Sequence, residues 1–161
     1  MDQIEKIIEQ WKTERPELDT EPMAVIGRLQ RIARHLSLGM AKTFEKFGLN
    51  GASFDVLATL RRSGVPYAMT PTDLMQSMMI TSGTMTNRID QLEKRQLVER
   101  LSNPQDGRGF LIKLTNTGFK LIDNVVGQHI ETQSSLTAGL NGTQKKQLNQ
   151  LLSAFLASLE K

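Results

Sequence analysis

The stretch from Ile80 to Arg95, ITSGTMTNRIDQLEKR, constrains this chain more than any other, because it joins a marked helix start to one apolar stripe and an opposite polar face. Thr81 is suited to accept a hydrogen bond from a first-turn N–H as N-cap, and Ile80 to pack on Met85 as a hydrophobic staple. Met85, Ile89 and Leu92 follow i, i+4, i+7. At about 100° per residue, Gly83, Thr84, Asn87, Gln91 and Lys94 fall roughly opposite. Such a helix packs on one side and faces a ligand with the other. Thr, Asn and Gln carry donors and acceptors suited to base edges, and Lys94 with Arg95 offers phosphate contacts, so a DNA recognition helix is expected. Taken alone, the pattern also suits an ordinary amphipathic surface helix.

The neighbouring residues decide between these. Upstream, Thr70-Pro71-Thr72-Asp73 is a helix start: Thr70 as N-cap, Pro71 at N1 and Asp73 at N3, with Leu74 and Met78 on the inner face. A tight apolar link through Met79 and Ile80 then leads into the recognition helix, which makes a helix-turn-helix. Downstream, two β-prone runs, Leu97 to Leu101 and Phe110 to Leu114, flank a turn holding Asp106-Gly107, a strong hairpin signal. A basic hairpin after a helix-turn-helix predicts a winged helix, with Arg108 at a tip that can enter a minor groove.

A chain of 161 residues, 39% hydrophobic, is about one domain long and can bury a core. The formal net charge of +3 is compatible with nucleic acid without establishing it. With no cysteine, disulfides and thiol sensing are excluded, and neither His35 nor His129 has a metal-ligating context. Both read as ordinary helix residues. No secretory leader or membrane-spanning run is present, so a cytoplasmic protein without a membrane partner is expected. There is no Gly-rich phosphate loop and no nucleophile with a base beside it, which argues against an enzyme. No cofactor and no metal are expected.

Taken in order, Ile4, Ile7, Ile8 and Trp11 predict a short amphipathic helix over residues 1–15, closed by Pro16. Trp11, the one tryptophan, also reads as a dimer or core anchor. A long helix over 22–47 carries Ile26, Leu29, Ala33, Leu36, Met40, Phe44 and Phe47 on one face and stops at Gly48. A third helix runs from Gly51 to Arg62. There Asp55 and Arg62, seven apart, return nearly to one face about 10 Å apart along the axis, with only Ala58 and Thr59 between. That strip can wall a small polar pocket, or be a solvated mixed-charge face. Arg88, at the flank of the recognition helix's apolar stripe, can lean inward toward it. After the wing, Thr115 caps a helix to about Leu136. A last helix, starting at Thr143, carries Leu148, Leu151, Leu152, Phe155, Leu156 and Leu159, an apolar face too wide for one small domain to cover. A homodimer through the N- and C-terminal helices follows.

The run TPTDLMQSMMITSGTMTNRIDQLEKRQLVERLSNPQDGRGFLIKLTNTG resembles the winged-helix core of the MarR family of bacterial transcriptional regulators. Gly107 departs from it, standing where many members carry a second basic wing residue. The added helix bearing Trp11, then FDVLATLRRSG, then SGTMTNRIDQLE, is similar to the urate-responsive, PecS-like branch, in which a Trp, an Asp and two Arg form the ligand site. The resemblance implies Trp11, Asp55, Arg62 (Arg61 being the near rival) and Arg88 in those roles.

The resulting expectation is a mainly α fold with a small β-wing (α+β), one MarR-like domain over 1–161. Residues 51–115 form the winged helix-turn-helix, and 22–47 with 116–160 the dimerisation helices. Two-fold symmetry predicts a pseudo-palindromic double-stranded operator. Ser82, Thr84, Thr86, Asn87 and Gln91 meet bases, Lys94, Arg95, Arg100 and Arg108 meet phosphates or the minor groove, and Asp106 orients Arg108. The expected effector is urate or xanthine, releasing a repressor. The alternatives are a phenolic or other lipophilic anion, and, in another class, a ligand-binding protein or enzyme that does not bind DNA.

Overall fold

Side-chain caps open most of the helices of this computed structural model, which describes residues 2–78, 85–104 and 109–160. In order these are α1 (Gln3–Glu14), α2 (Glu21–Glu45), α3 (Gly51–Arg62), β1 (Ala68–Met69), α4 (Pro71–Met78), α5 (Met85–Lys94), β2 (Val98–Ser102), β3 (Phe110–Leu114), α6 (Asn116–Leu136) and α7 (Gly142–Leu159). Asp2, Asn50 and Thr115 each accept a hydrogen bond from the third residue on, at 2.8, 2.8 and 3.0 Å. Thr70 Oγ1 accepts from the Asp73 N–H at 3.1 Å, as Thr-Pro-x-Asp predicts. The last helix begins before the expected Thr143, because Asn141 and Gln144 form a reciprocal capping box that satisfies two otherwise orphan donors.

The chain divides into two units, residues 1–39 and 40–161. In the first, α1 lies close against α2. A Cβ on Gly27 would stand 3.0 Å from Ile4 Cδ1, and Arg28 Nε donates to the Asp2 carboxylate at 2.8 Å. That bond holds the Asp2 carboxyl below its ordinary range.

In the second unit, an antiparallel sheet of order β1-β3-β2 closes over α3 to α6. The β2–β3 hairpin pairs Val98 with Leu114 and Ser102 with Phe110. Alternation puts Ile112 and Leu114 of β3 inside, beside Val98 of β2. β1, paired through Ala68 and Met69 with Lys113 and Ile112, was not anticipated. Val56, Leu57 and Leu60 of α3, Leu74 of α4, Ile89 and Leu92 of α5, and Ile122 and Val125 of α6 complete one buried cluster. Every expected member of the α5 stripe, Met85, Ile89 and Leu92, is at most 2% exposed. On the other side of that stripe lies the face the rest of the fold presents.

Candidate nucleic-acid interface and effector cavity

With its apolar stripe in the core, α5 turns Thr86, Asn87, Gln91 and Lys94 to solvent. These are the residues expected to meet DNA from the described part of the recognition helix. Ser82, Thr84, Asp106 and Arg108 lie outside the described residues, as do the expected cap Thr81, its staple Ile80 and the Asp106-Gly107 turn.

Two cations expected at phosphates point elsewhere in the structure. Arg100, on β2, sends its guanidinium to Asp90 and Glu93 of α5, over the Phe110 ring at 5.5 Å. The Asp90 hydrogen bond leads in raising its pKa further. Periodicity could not show this, since the two carboxylates lie on another element. Arg95 donates from Nη1 to the Gly48 carbonyl at 2.6 Å and from Nη2 to that of Phe47 at 3.5 Å. Both groups tie α5 to its surroundings.

The strip anticipated on α3 is one wall of a cavity of about 270 Å³ lined by Asp55, Thr59, Arg62, Ser77 and Met78. Arg62, not Arg61, lines it. Arg61 instead pairs with Asp123 at 2.9 Å and lies over the rings of Tyr67 and Phe119. Arg62 Nη2 donates to the Ser77 carbonyl at 2.7 Å, capping the C-terminal turn of α4, where carbonyls have no helical partner. Desolvation raises the Asp55 carboxyl above its ordinary value, opposed first by Arg88, then by Arg62 and His129. Arg88 thus acts from the half-buried flank of α5 on the carboxylate at the cavity. Trp11 belongs to the first unit and is 41% exposed, with Gln10, Thr13 and Glu14 beside it along a groove.

His129, taken from sequence as an ordinary helix residue, belongs to this neighbourhood. Its ring stacks on Phe44 with centroids 5.3 Å apart and lies tilted against Phe54 at 4.7 Å. Nε2 lies 3.0 Å from the Gln133 amide, while the buried Nδ1 has no partner among the described residues. Burial lowers its pKa and Asp55 pulls the other way, which favours the neutral ring at pH 7. No local sequence signal links His129 to Asp55. Only the packing of α6 on α3 does.

The raised Asp55 pKa has a stability consequence. A carboxyl whose folded pKa lies above its unfolded one is stabilising below the unfolded value, and that contribution is lost as pH rises through the folded value. Its charge is therefore unfavourable to folding above about pH 4. Asp55→Asn is expected to raise the melting temperature at pH 7 and to change it little at pH 3. Thermal melts across that range check both.

Among the described residues no group of side chains could hold a metal ion, and no helix is long and apolar enough to cross a membrane. The MarR family model matches residues 49–110, from the link before α3 to the start of β3. The HTH-type transcriptional regulator PecS of Dickeya dadantii (strain 3937) is 39% identical over 150 residues, 93% of this chain and 90% of PecS. The multiple antibiotic resistance protein MarR of Escherichia coli (strain K12) is 34% identical over 109 residues, 65% of this chain and 74% of that protein. Among solved structures, a mutant E. coli MarR complexed with operator DNA superposes with a TM-score of 0.73 at 28% identity, covering 85% of this chain and 97% of that one. A MarR family regulator from Streptomyces coelicolor in complex with DNA shares the fold, with a TM-score of 0.78 at 20% identity over 89% of this chain and 91% of that one. A winged helix with a polar recognition face, matched along nearly its whole length by a known regulator, places this chain in the MarR family of transcriptional regulators.

Proposed function

We propose that this protein is a homodimeric repressor that binds a pseudo-palindromic operator and is released from it by a small planar anion, urate or a related purine such as xanthine. The observation that carries the proposal is the cavity shared by Asp55 and Arg62, whose carboxylate also feels Arg88 from α5. Two guanidinium groups suit an anionic ring, and a carboxylate accepts its ring N–H bonds. The likeness to PecS and to a MarR complexed with operator DNA supports the regulator reading. An exposed apolar face on α7, with Leu148, Leu151, Leu152, Phe155, Leu156 and Leu159 all more than a third exposed, supports the dimer.

In the DNA-bound dimer each α5 enters a major groove, with half-sites about 10 bp apart. Thr86, Asn87 and Gln91 meet base edges, joined by Ser82 and Thr84, while Lys94 and the wing residue Arg108, oriented by Asp106, meet the backbone or minor groove. Arg100 holds the wing to α5 and contributes to DNA contact through that placement. Ligand binding draws Arg88 toward the anion and competes with the Ser77 carbonyl for Arg62. Both changes move the helix-turn-helix out of groove register, and release needs only a difference in affinity between the two arrangements.

Asn87→Ala and Gln91→Ala are each expected to weaken specific binding by about 5- to 100-fold while leaving non-specific binding near its original level. Anisotropy titrations against the DNA upstream of the coding sequence and a scrambled duplex measure the two quantities. Equal loss on both duplexes would remove these residues from base readout.

A further inference from the structure

We infer that Arg95 is a positioning residue, not a phosphate contact: it fixes the end of the recognition helix against the end of α2 and so sets the half-site spacing that the dimer accepts. The inference rests on the DNA-binding reading above. Arg95 directly follows the last residue of α5, and its own N–H still bonds the Gln91 carbonyl at 3.3 Å, so its backbone moves with the helix. Its guanidinium reaches the Gly48 carbonyl at 2.6 Å and that of Phe47 at 3.5 Å. These groups lie just past the C-terminus of α2, where carbonyls lack helical partners and the helix dipole presents its negative end.

The receiving end is itself firmly held. Phe44 is 6% exposed and its ring stacks on Phe54 with centroids 4.4 Å apart. Thr43 shares a 2.7 Å hydrogen bond with Thr132 of α6. Gly48 has a φ of +63°, and a Cβ there would stand 3.3 Å from Arg95 Nη2, so the approach is close on both sides. A rigid planar fork with donors in fixed directions can serve two adjacent carbonyls, which a lysine ammonium on a flexible stem does not reproduce. Since α2 and α6 belong to the dimerisation part, a tie from α5 to this corner relates each recognition helix to the two-fold axis. That relation is what an operator reads as spacing.

The test compares wild type, Arg95→Ala and Arg95→Lys on the operator and on versions with one base pair inserted or removed between half-sites, each over a range of salt concentrations. Wild type is expected to lose about tenfold or more in affinity for either altered spacing, since one base pair both rotates and translates a half-site. Both variants should lose only a few-fold on the natural spacing and show a penalty of about threefold or less for the altered ones, with the salt dependence unchanged. A phosphate contact gives the opposite pattern: Arg95→Ala weakens all spacings equally and lowers the salt slope by about one, while Arg95→Lys restores binding. That result, or spacing discrimination intact in both variants, overturns the inference. Failure of the wild type to bind any DNA overturns the regulator reading itself. Arg95→Lys keeps the charge, and circular dichroism melts of both variants separate lost placement from lost folding.

Discussion

Replacing Gly118 with alanine is expected to destabilise the fold by about 3 kcal/mol or more, the upper end of what overpacking costs. A Cβ at this position would lie 1.9 Å from the Leu97 carbonyl oxygen and 2.8 Å from its carbon, and backbone cannot swing aside as a side chain can. The site has no slack. The Leu97 carbonyl accepts from the Thr115 N–H at 3.2 Å, the Thr115 hydroxyl donates to the Gln96 carbonyl at 2.7 Å, and Leu97 is 4% exposed. This joint seats the first turn of α6 on the link between α5 and β2, so the clash must break the cap, the turn or the sheet start. Urea denaturation measures the loss. Gly51→Ala, where nothing lies within 4 Å of the added carbon, is the control and should change stability by well under 1 kcal/mol.

The second large effect concerns the effector. Arg62→Ala and Arg88→Ala are each expected to weaken urate binding by about 10- to 100-fold, the range for removing a charge-assisted hydrogen bond from a partly enclosed anion site. Calorimetric titration measures it directly. Arg61→Ala serves as comparison, because Arg61 is held by Asp123 and by the rings of Tyr67 and Phe119, away from the cavity-lining set. It should cost stability without changing urate affinity. Equal urate affinity in all three variants would remove the cavity from the account.

These two sites differ in how far the sequence disclosed them. The stripe of Met85, Ile89 and Leu92 and the caps at Thr70 and Thr115 were legible because each depends on residues within a turn or two of one another. So was the Asp55 to Arg62 strip, whereas which of the two adjacent arginines lines the cavity is seen only in the fold, where it is Arg62. Groups whose partners lie on other elements were not legible. The destinations of Arg95 and Arg100, the place of His129 between two phenylalanines, and the close approach at Gly118 all depend on how elements pack. β1 escaped for a simpler reason: two residues make no period, and Ala68 and Met69 become a strand only because β3 offers an edge.

The central claim, that one protein reads DNA with α5 and is released through the cavity joined to it by Arg88, is tested most directly by one titration. Fluorescence anisotropy follows binding to the upstream DNA, with and without urate, for wild type and Arg88→Ala. Both proteins are expected to bind in a salt-sensitive way, with urate relieving binding by the wild type and affecting that of the variant little. Relief of equal size in both would contradict the coupling through Arg88, and binding that urate leaves untouched in the wild type would discard the purine effector.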